Sequence, residues 1–167
     1  MSRTLRALVA AGFAAVTACS PQAGPATAAD APAAAQERAA PEFATSELTA
    51  GLGLPFSESV RVGDLLLLSG MIGMRPGALE LVPGGMEAEA RQTLANIEAV
   101  LRAAGASRTD VLKCTVMLDD MSQWPRFNQI YAEFFGSHRP VRSAFGADGL
   151  ALGAAVEVEC IATAPAR

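Results

Sequence analysis

Two side chains near the end of the chain carry its clearest chemistry. Arg142 stands in Pro140-Val141-Arg142-Ser143, at the start of one strand-like run, and Glu157 stands fifteen residues later in Val156-Glu157-Val158-Glu159. A guanidinium is a planar cationic fork that grips a carboxylate through paired hydrogen bonds. A nearby carboxylate can take or return a proton. The pair suits the capture of a small organic acid and a proton transfer on it. Glu157 alternates with apolar Val156 and Val158, so it points away from the core. Glu159 shares that strand face, where a structural ion pair is the expectation. Other polar candidates read more plainly. Ser69 is a hydroxyl to be satisfied by backbone, and no base stands beside it in sequence to make it a nucleophile. Asn128 caps or bridges a loop, or lines a site. Phe56 and Trp124 read as packing residues.

Composition narrows the options. The chain has 167 residues, of which 51% are hydrophobic and 18% charged, enough for one compact domain with extensions. Its formal net charge of -4 and its scattered Lys and Arg residues give no footprint for nucleic acid. His138 is the single histidine. A His-cluster metal site is excluded, no metal is expected, and any Ser-His-Asp triad would have to use His138. It follows a helix end and reads as an exposed loop residue. Three cysteines are too few and too far apart for a zinc ribbon. Cys114 and Cys160 fall at inward strand positions and read as small buried hydrophobes. An oxidising compartment would allow them to pair, but sequence does not place them within bonding distance.

The first residues read as a targeting segment. Arg3 and Arg6 form a positive start, and Ala7 to Val16 is an apolar run too short to span a bilayer. Val16-Thr17-Ala18-Cys19 resembles a bacterial lipobox, so residues 1–18 are expected to be a lipoprotein signal and Cys19 the lipidated residue. Cleavage in the Ala-rich stretch near Ala29 is the alternative. Two or more acyl chains give stable anchoring, so an exported, periplasmic, membrane-anchored protein is expected. Ser20, rather than Asp, favours the outer membrane. Residues 19–45 are Ala- and Pro-rich without apolar periodicity and read as a tether. Fully extended, such a tether reaches on the order of 80 Å.

The remaining residues, 46–167, read as the folded domain. Gly63-Asp64 turns between two apolar runs. Leu65 to Ser69 is a continuous apolar run, expected to be a strand buried on both faces. The glycines and prolines from Gly70 to Gly85 predict a loop. Met86, Ala90, Leu94, Ile97, Leu101 and Ala104 recur at steps of three and four, which predicts a helix ended by Gly105. Val111 to Leu118 alternates as a strand, with Leu112, Cys114, Val116 and Leu118 on one side. Ser122 can cap a second helix that buries Phe127, Ile130, Tyr131 and Phe134, and Gly136 stops it. Val141 to Phe145 and Val156 to Ala162 complete a β-β-α-β-α-β-β order. That order predicts an α+β fold with two helices on one face of a mixed sheet. The other face then needs a cover, and a partner subunit is the simplest one.

In order and spacing these segments resemble the RidA (YjgF) family of reactive intermediate deaminases. The resemblance runs from Leu54 to Ala164. It rests on Pro55-Phe56-Ser57, Leu68-Ser69-Gly70, Arg91-Gln92-Thr93-Leu94-Ala95-Asn96-Ile97, Ala103-Ala104-Gly105-Ala106, Asp110 to Val116, Asn128 to Phe135, and the Arg142 to Glu157 signature. It implies a chorismate-mutase-like homotrimer with clefts between subunits and no metal or organic cofactor. It implies hydrolysis of enamines and imines such as 2-aminoacrylate to 2-oxo acids and ammonia. Arg142 falls on the family's carboxylate-binding arginine and Glu157 on its proton-handling glutamate. Ser69 and Asn128 fall on positions that line or support the cleft. Phe56 stands where the family usually has tyrosine, so stacking area stays while a water-orienting hydroxyl is lost. Asp148 adds negative charge within a few residues of Arg142. A non-catalytic binder or sensor of small carboxylates on the same cleft, and a surface-anchored interaction protein, are the competing readings.

Overall fold

The computed structural model describes residues 40–166. The expected signal, the lipidation at Cys19 and most of the tether lie outside them. Seven strands form one mixed sheet in the order β1-β2-β3-β7-β5-β6, with β4 also pairing β7. The strands are β1 (Glu42–Ala44), β2 (Ser59–Val62), β3 (Leu65–Leu68), β4 (Met71–Ile72), β5 (Val111–Leu118), β6 (Val141–Gly146) and β7 (Val156–Thr163). The helices are α1 (Glu47–Ala50), α2 (Gly85–Ala103) and α3 (Trp124–Phe135). All pairs are antiparallel except β5 with β6, which are parallel and joined through α3. The α+β class, the mixed sheet and the two long helices agree with the sequence pattern.

The core lies between the sheet and α2 and α3. Met86, Ala90, Leu94, Ile97 and Leu101 of α2 and Phe127, Ile130 and Tyr131 of α3 pack on Cys114, Val116, Val156, Val158 and Ala162. Each fully buried aliphatic side chain contributes roughly 1.5–3 kcal/mol, and truncating one such as Leu94 to alanine would cost about 2–5 kcal/mol. Helix α2 ends in a Schellman turn. The N–H of Ala106 reaches the Leu101 carbonyl at 2.8 Å and that of Gly105 the Arg102 carbonyl at 2.9 Å. Gly105 takes φ 76°, which a β-carbon would oppose.

Several expectations are corrected. Residues before 46 already take part in the sheet. β1 lies in the supposed tether and pairs β2, with Phe43 opposite Val60. Three residues are too few to show a period, so only the waiting edge of β2 reveals this strand. Residues 70–85 are more than a loop, since they include β4 and a Met74 to Leu81 bridge. β3 is buried on one face only: Leu66 and Leu68 are covered, while Leu65 and Leu67 are 42% and 36% exposed. Helices α2 and α3 form a single layer, which leaves the second face of the sheet without a helical layer among the described residues. Leu112 is exposed rather than inward, because a bulge between Val111 and Lys113 makes it the extra residue of β5. Asp120, not Ser122, caps the turn before α3, accepting from the Ser122 N–H at 2.8 Å. Phe135 replaces Phe134 on the buried face of α3. His138 is partly buried, and its Nε2 pairs with the Val111 carbonyl at 2.7 Å.

Cys114 and Cys160 are bonded to each other. They stand directly opposite on β5 and β7, with Cα atoms 4.1 Å apart and both side chains buried. The open alternative of the sequence reading is thus decided by strand register. The bond ties the central strand β7 to β5 inside the core.

Candidate functional site

Glu157 sits near the middle of the sheet. On β7 it is opposite Met117 of β5 and Ile72 of β4. Strand alternation turns it to the face that no helix covers among the described residues. Its carboxylate lies against the backbone of Gly70, so closely that a β-carbon there would overlap its Oε1. Burial raises its pKa above the ordinary carboxylate value, and the charge of Glu159 adds to the shift. Glu159 forms no ion pair among the described residues, contrary to expectation. Its structural consequence is electrostatic, through Glu157.

The neighbouring strand ends are clipped in place. The Ser69 hydroxyl donates to the Ser57 carbonyl at 2.7 Å and its N–H to the Glu58 carbonyl at 2.9 Å. Glu58 accepts from the Ser46 N–H at 2.7 Å and from the Thr49 hydroxyl, which fixes α1 beside β2. The loop bearing Phe56 is therefore closed at both ends. Phe56 is 51% exposed in an open groove of about 440 Å³ that Pro55, Ser57, Val60, Leu67 and Ser69 also line. Phe43 of β1 forms one wall. On the other flank, Asn96 of α2 donates to the carbonyls of Ile72 and Met74 at 3.0 and 2.9 Å, holding β4 against the helix.

Arg142 belongs to a second cluster. It lies on edge strand β6 in register with Cys114, on the helix-bearing side. Its Nη2 donates to Asn128 Oδ1 at 2.8 Å. Its guanidinium carbon lies 4.6 Å from the centroid of the Trp124 ring and 4.6 Å from that of Tyr131. Asp148 is exposed and makes no ion pair with Arg142. No carboxylate neutralises Arg142 among the described residues, so its charge stays available.

Within one chain the two clusters stay apart. Arg142 registers with Cys114 of β5 and Glu157 with Met117, an odd number of residues along, so they occupy opposite faces. Ser69 and Phe56 line the groove that ends next to Gly70, whose backbone the Glu157 carboxylate touches, and Asn128 accompanies Arg142. Sequence reasoning named these five but missed Gly70, Trp124 and Tyr131. The signal for the last two was present: residues 124, 128 and 131 follow the i, i+4, i+7 spacing of one helix stripe. Gly70 had no such signal, because its role rests on a neighbour far away in sequence.

Comparison with known proteins identifies the family and the fold. The family model Endoribonuclease L-PSP matches residues 50–164. A 2-iminobutanoate/2-iminopropanoate deaminase of Bos taurus is 40% identical over 120 residues, covering 72% of this chain and 87% of its own. The crystal structure of RidA from Psychrobacter sp. PAMC 21119 superposes with a TM-score of 0.64 at 32% identity, covering 72% of this chain and 94% of that one. The E. coli TdcF structure with bound serine gives a TM-score of 0.63 at 31% identity, covering 67% of this chain and 90% of its own. The chain belongs to the Endoribonuclease L-PSP family, the RidA (YjgF) family of reactive intermediate deaminases.

Proposed function

We propose that this protein hydrolyses reactive 2-imino acids, and their enamine tautomers such as 2-aminoacrylate, to 2-oxo acids and ammonia in clefts between the subunits of a homotrimer. The observation that carries this reading is the pairing of two incomplete half-sites. One presents a charged, uncompensated Arg142. The other presents Glu157, with a raised pKa, on a face that no helix covers among the described residues. A second copy laid against that face supplies what each half lacks. The face itself asks for cover, since Phe43, Val62, Leu65, Leu67 and Phe145 are all at least 36% exposed.

The chemistry is undemanding. Arg142 holds the substrate carboxylate and orients the planar imine. Water adds its oxygen to the imine carbon and gives its proton to Glu157. Glu157 passes that proton to the imine nitrogen, giving a carbinolamine. It then takes the hydroxyl proton and hands it to the amino nitrogen as the C–N bond breaks, so that ammonia leaves and the carbonyl forms. A carboxyl with raised pKa is closer to the working pH and so serves both directions better. Positioning and proton transfer of this kind contribute about 10²- to 10⁴-fold. Phe56 would stack on the ligand from its groove, and Ser69 would fix that groove.

An RNA-cutting role, which the family model's description suggests, suits this chain poorly. Its net charge is -4, and Glu157 and Glu159 put negative charge on the open face. The disulfide supports an oxidising location, since such bonds are rare in reducing compartments. Export with lipid attachment at Cys19 fits that chemistry. Membrane retention lost in Cys19→Ala would support the anchor, and unchanged retention would remove it.

The deciding experiment generates 2-iminopropanoate in situ and follows oxo-acid and ammonia release, with Arg142→Ala as control. Acceleration that this variant abolishes supports the proposal. A rate equal to buffer overturns it. Saturable binding of 2-oxo acids without turnover would point instead to a binder or sensor, a reading that the missing hydroxyl at Phe56 favours.

A further inference from the structure

One stripe of α3 is given over to a single side chain. Trp124, Asn128 and Tyr131 all touch Arg142, and they come from one rigid helix while the arginine comes from the edge strand β6. We propose that Trp124 and Tyr131 are positioning residues: their rings clamp the Arg142 guanidinium without neutralising it, and so set the site's preference for small planar carboxylates. This inference rests on the ligand role given to Arg142 above.

Three observations support the clamp. First, an arginine side chain carries about 2 kcal/mol of rotamer entropy, and an edge strand offers little to restrain it. Two ring contacts well inside the roughly 6 Å reach of cation–π attraction, plus one hydrogen bond, supply that restraint. Second, every partner is uncharged. Indole and phenol faces attract a cation through their quadrupoles, and Asn128 Oδ1 accepts one N–H. Of the five guanidinium N–H groups, about four remain for a ligand. A structural arginine would more often meet a carboxylate, and that would cancel the charge an anionic ligand needs. Third, Tyr131 acts through its ring. Its hydroxyl is buried without a hydrogen-bond partner, and burial pushes its pKa up to about 12, so it stays neutral.

The test uses calorimetry with 2-oxobutanoate alongside imine-hydrolysis kinetics on the full chain. Trp124 is only partly buried, so Trp124→Leu keeps the fold, which its melting temperature verifies. The expected result is 2-oxobutanoate affinity weakened about five-fold or more in Trp124→Leu, with KM rising more than kcat falls. Trp124→Phe restores a ring and should return affinity to within about two-fold of the parent. Tyr131→Phe keeps the ring, removes only the orphaned hydroxyl, and should bind as the parent does. Unchanged affinity in a folded Trp124→Leu overturns the clamp, as does a large loss in Tyr131→Phe. The outcomes separate the two readings. Binding that weakens in Trp124→Leu, without any imine hydrolysis by the parent, upholds the clamp and sinks turnover. Hydrolysis whose KM ignores Trp124→Leu does the reverse. A parent protein that neither binds nor turns over overturns both.

Discussion

Gly70→Ala offers a sharp test of where the proton-handling group sits. A β-carbon on Gly70 would overlap the Glu157 carboxylate oxygen and lie 2.9 Å from its Cδ and 3.2 Å from its Cγ. Carbon–carbon contacts are comfortable from about 3.5 Å. Cδ must therefore retreat by about 0.6 Å, and the oxygen beyond it by on the order of 1 Å. The carboxylate is the far end of a flexible side chain, so it can swing away without moving the backbone. A misplacement of about 1 Å can cost on the order of 10²-fold in rate. The prediction is a folded protein with near-parental melting temperature and kcat for imine hydrolysis lowered about 100-fold. Gly73→Ala is the internal contrast. There the new carbon would meet the Glu89 backbone, 2.7 Å from its Cα and 2.9 Å from its carbonyl oxygen. Backbone cannot step aside, so this variant should lose several kcal/mol of stability, on the order of the cost of overpacking a core. Thermal melts and steady-state kinetics on both variants give the answer. A Gly70→Ala protein with unaltered kcat would refute the placing of Glu157 in the chemistry.

Glu157→Gln should lower kcat by about 10²- to 10⁴-fold. Because the folded protein raises the pKa of Glu157, it binds that proton more tightly than the unfolded chain does. Ionising the group therefore costs stability above the folded pKa, and the cost disappears below the unfolded one. Glu157→Gln should then melt at or above the parent temperature at pH 7, with the gap closing toward about pH 4; a clear loss at pH 7 would contradict the burial assigned to it. The acid limb of the kcat/KM profile should likewise lie above the ordinary carboxylate range. Arg142→Lys keeps the charge but loses the planar fork, and KM should rise at least about ten-fold; a parental KM would show that no bidentate grip exists. Replacing Cys114 and Cys160 together by alanine opens a 46-residue separation and should cost about 2–4 kcal/mol in urea unfolding; an unchanged midpoint would mean the bond contributes nothing.

Local pattern made much of this protein readable. The apolar stripe from Met86 to Leu101, the alternation from Cys114 to Leu118 and the Gly105 stop each reflect a rule that acts within a few residues. Arg142 and Glu157 were legible because residue type and motif spacing name their chemistry. Errors arose wherever a residue's fate depends on a distant partner. Leu65 and Leu67 look buried in sequence, yet among the described residues helices cover only the other face of the sheet. Phe43 looks like tether, yet Val60 pairs it. Leu112 looks inward, yet a bulge set by the pairing with β7 turns it out.

Sequence alone therefore determined the α+β class, the helix faces and the chemical types at the site. Tertiary structure decided how they are arranged. Strand register bonded Cys114 to Cys160, put Arg142 and Glu157 on opposite faces, and brought Trp124 and Tyr131 to the guanidinium. The physical reason is that side-chain periodicity is written along the chain, whereas register is fixed by hydrogen bonds between strands many residues apart. A shift of one residue there exchanges the two faces of the sheet.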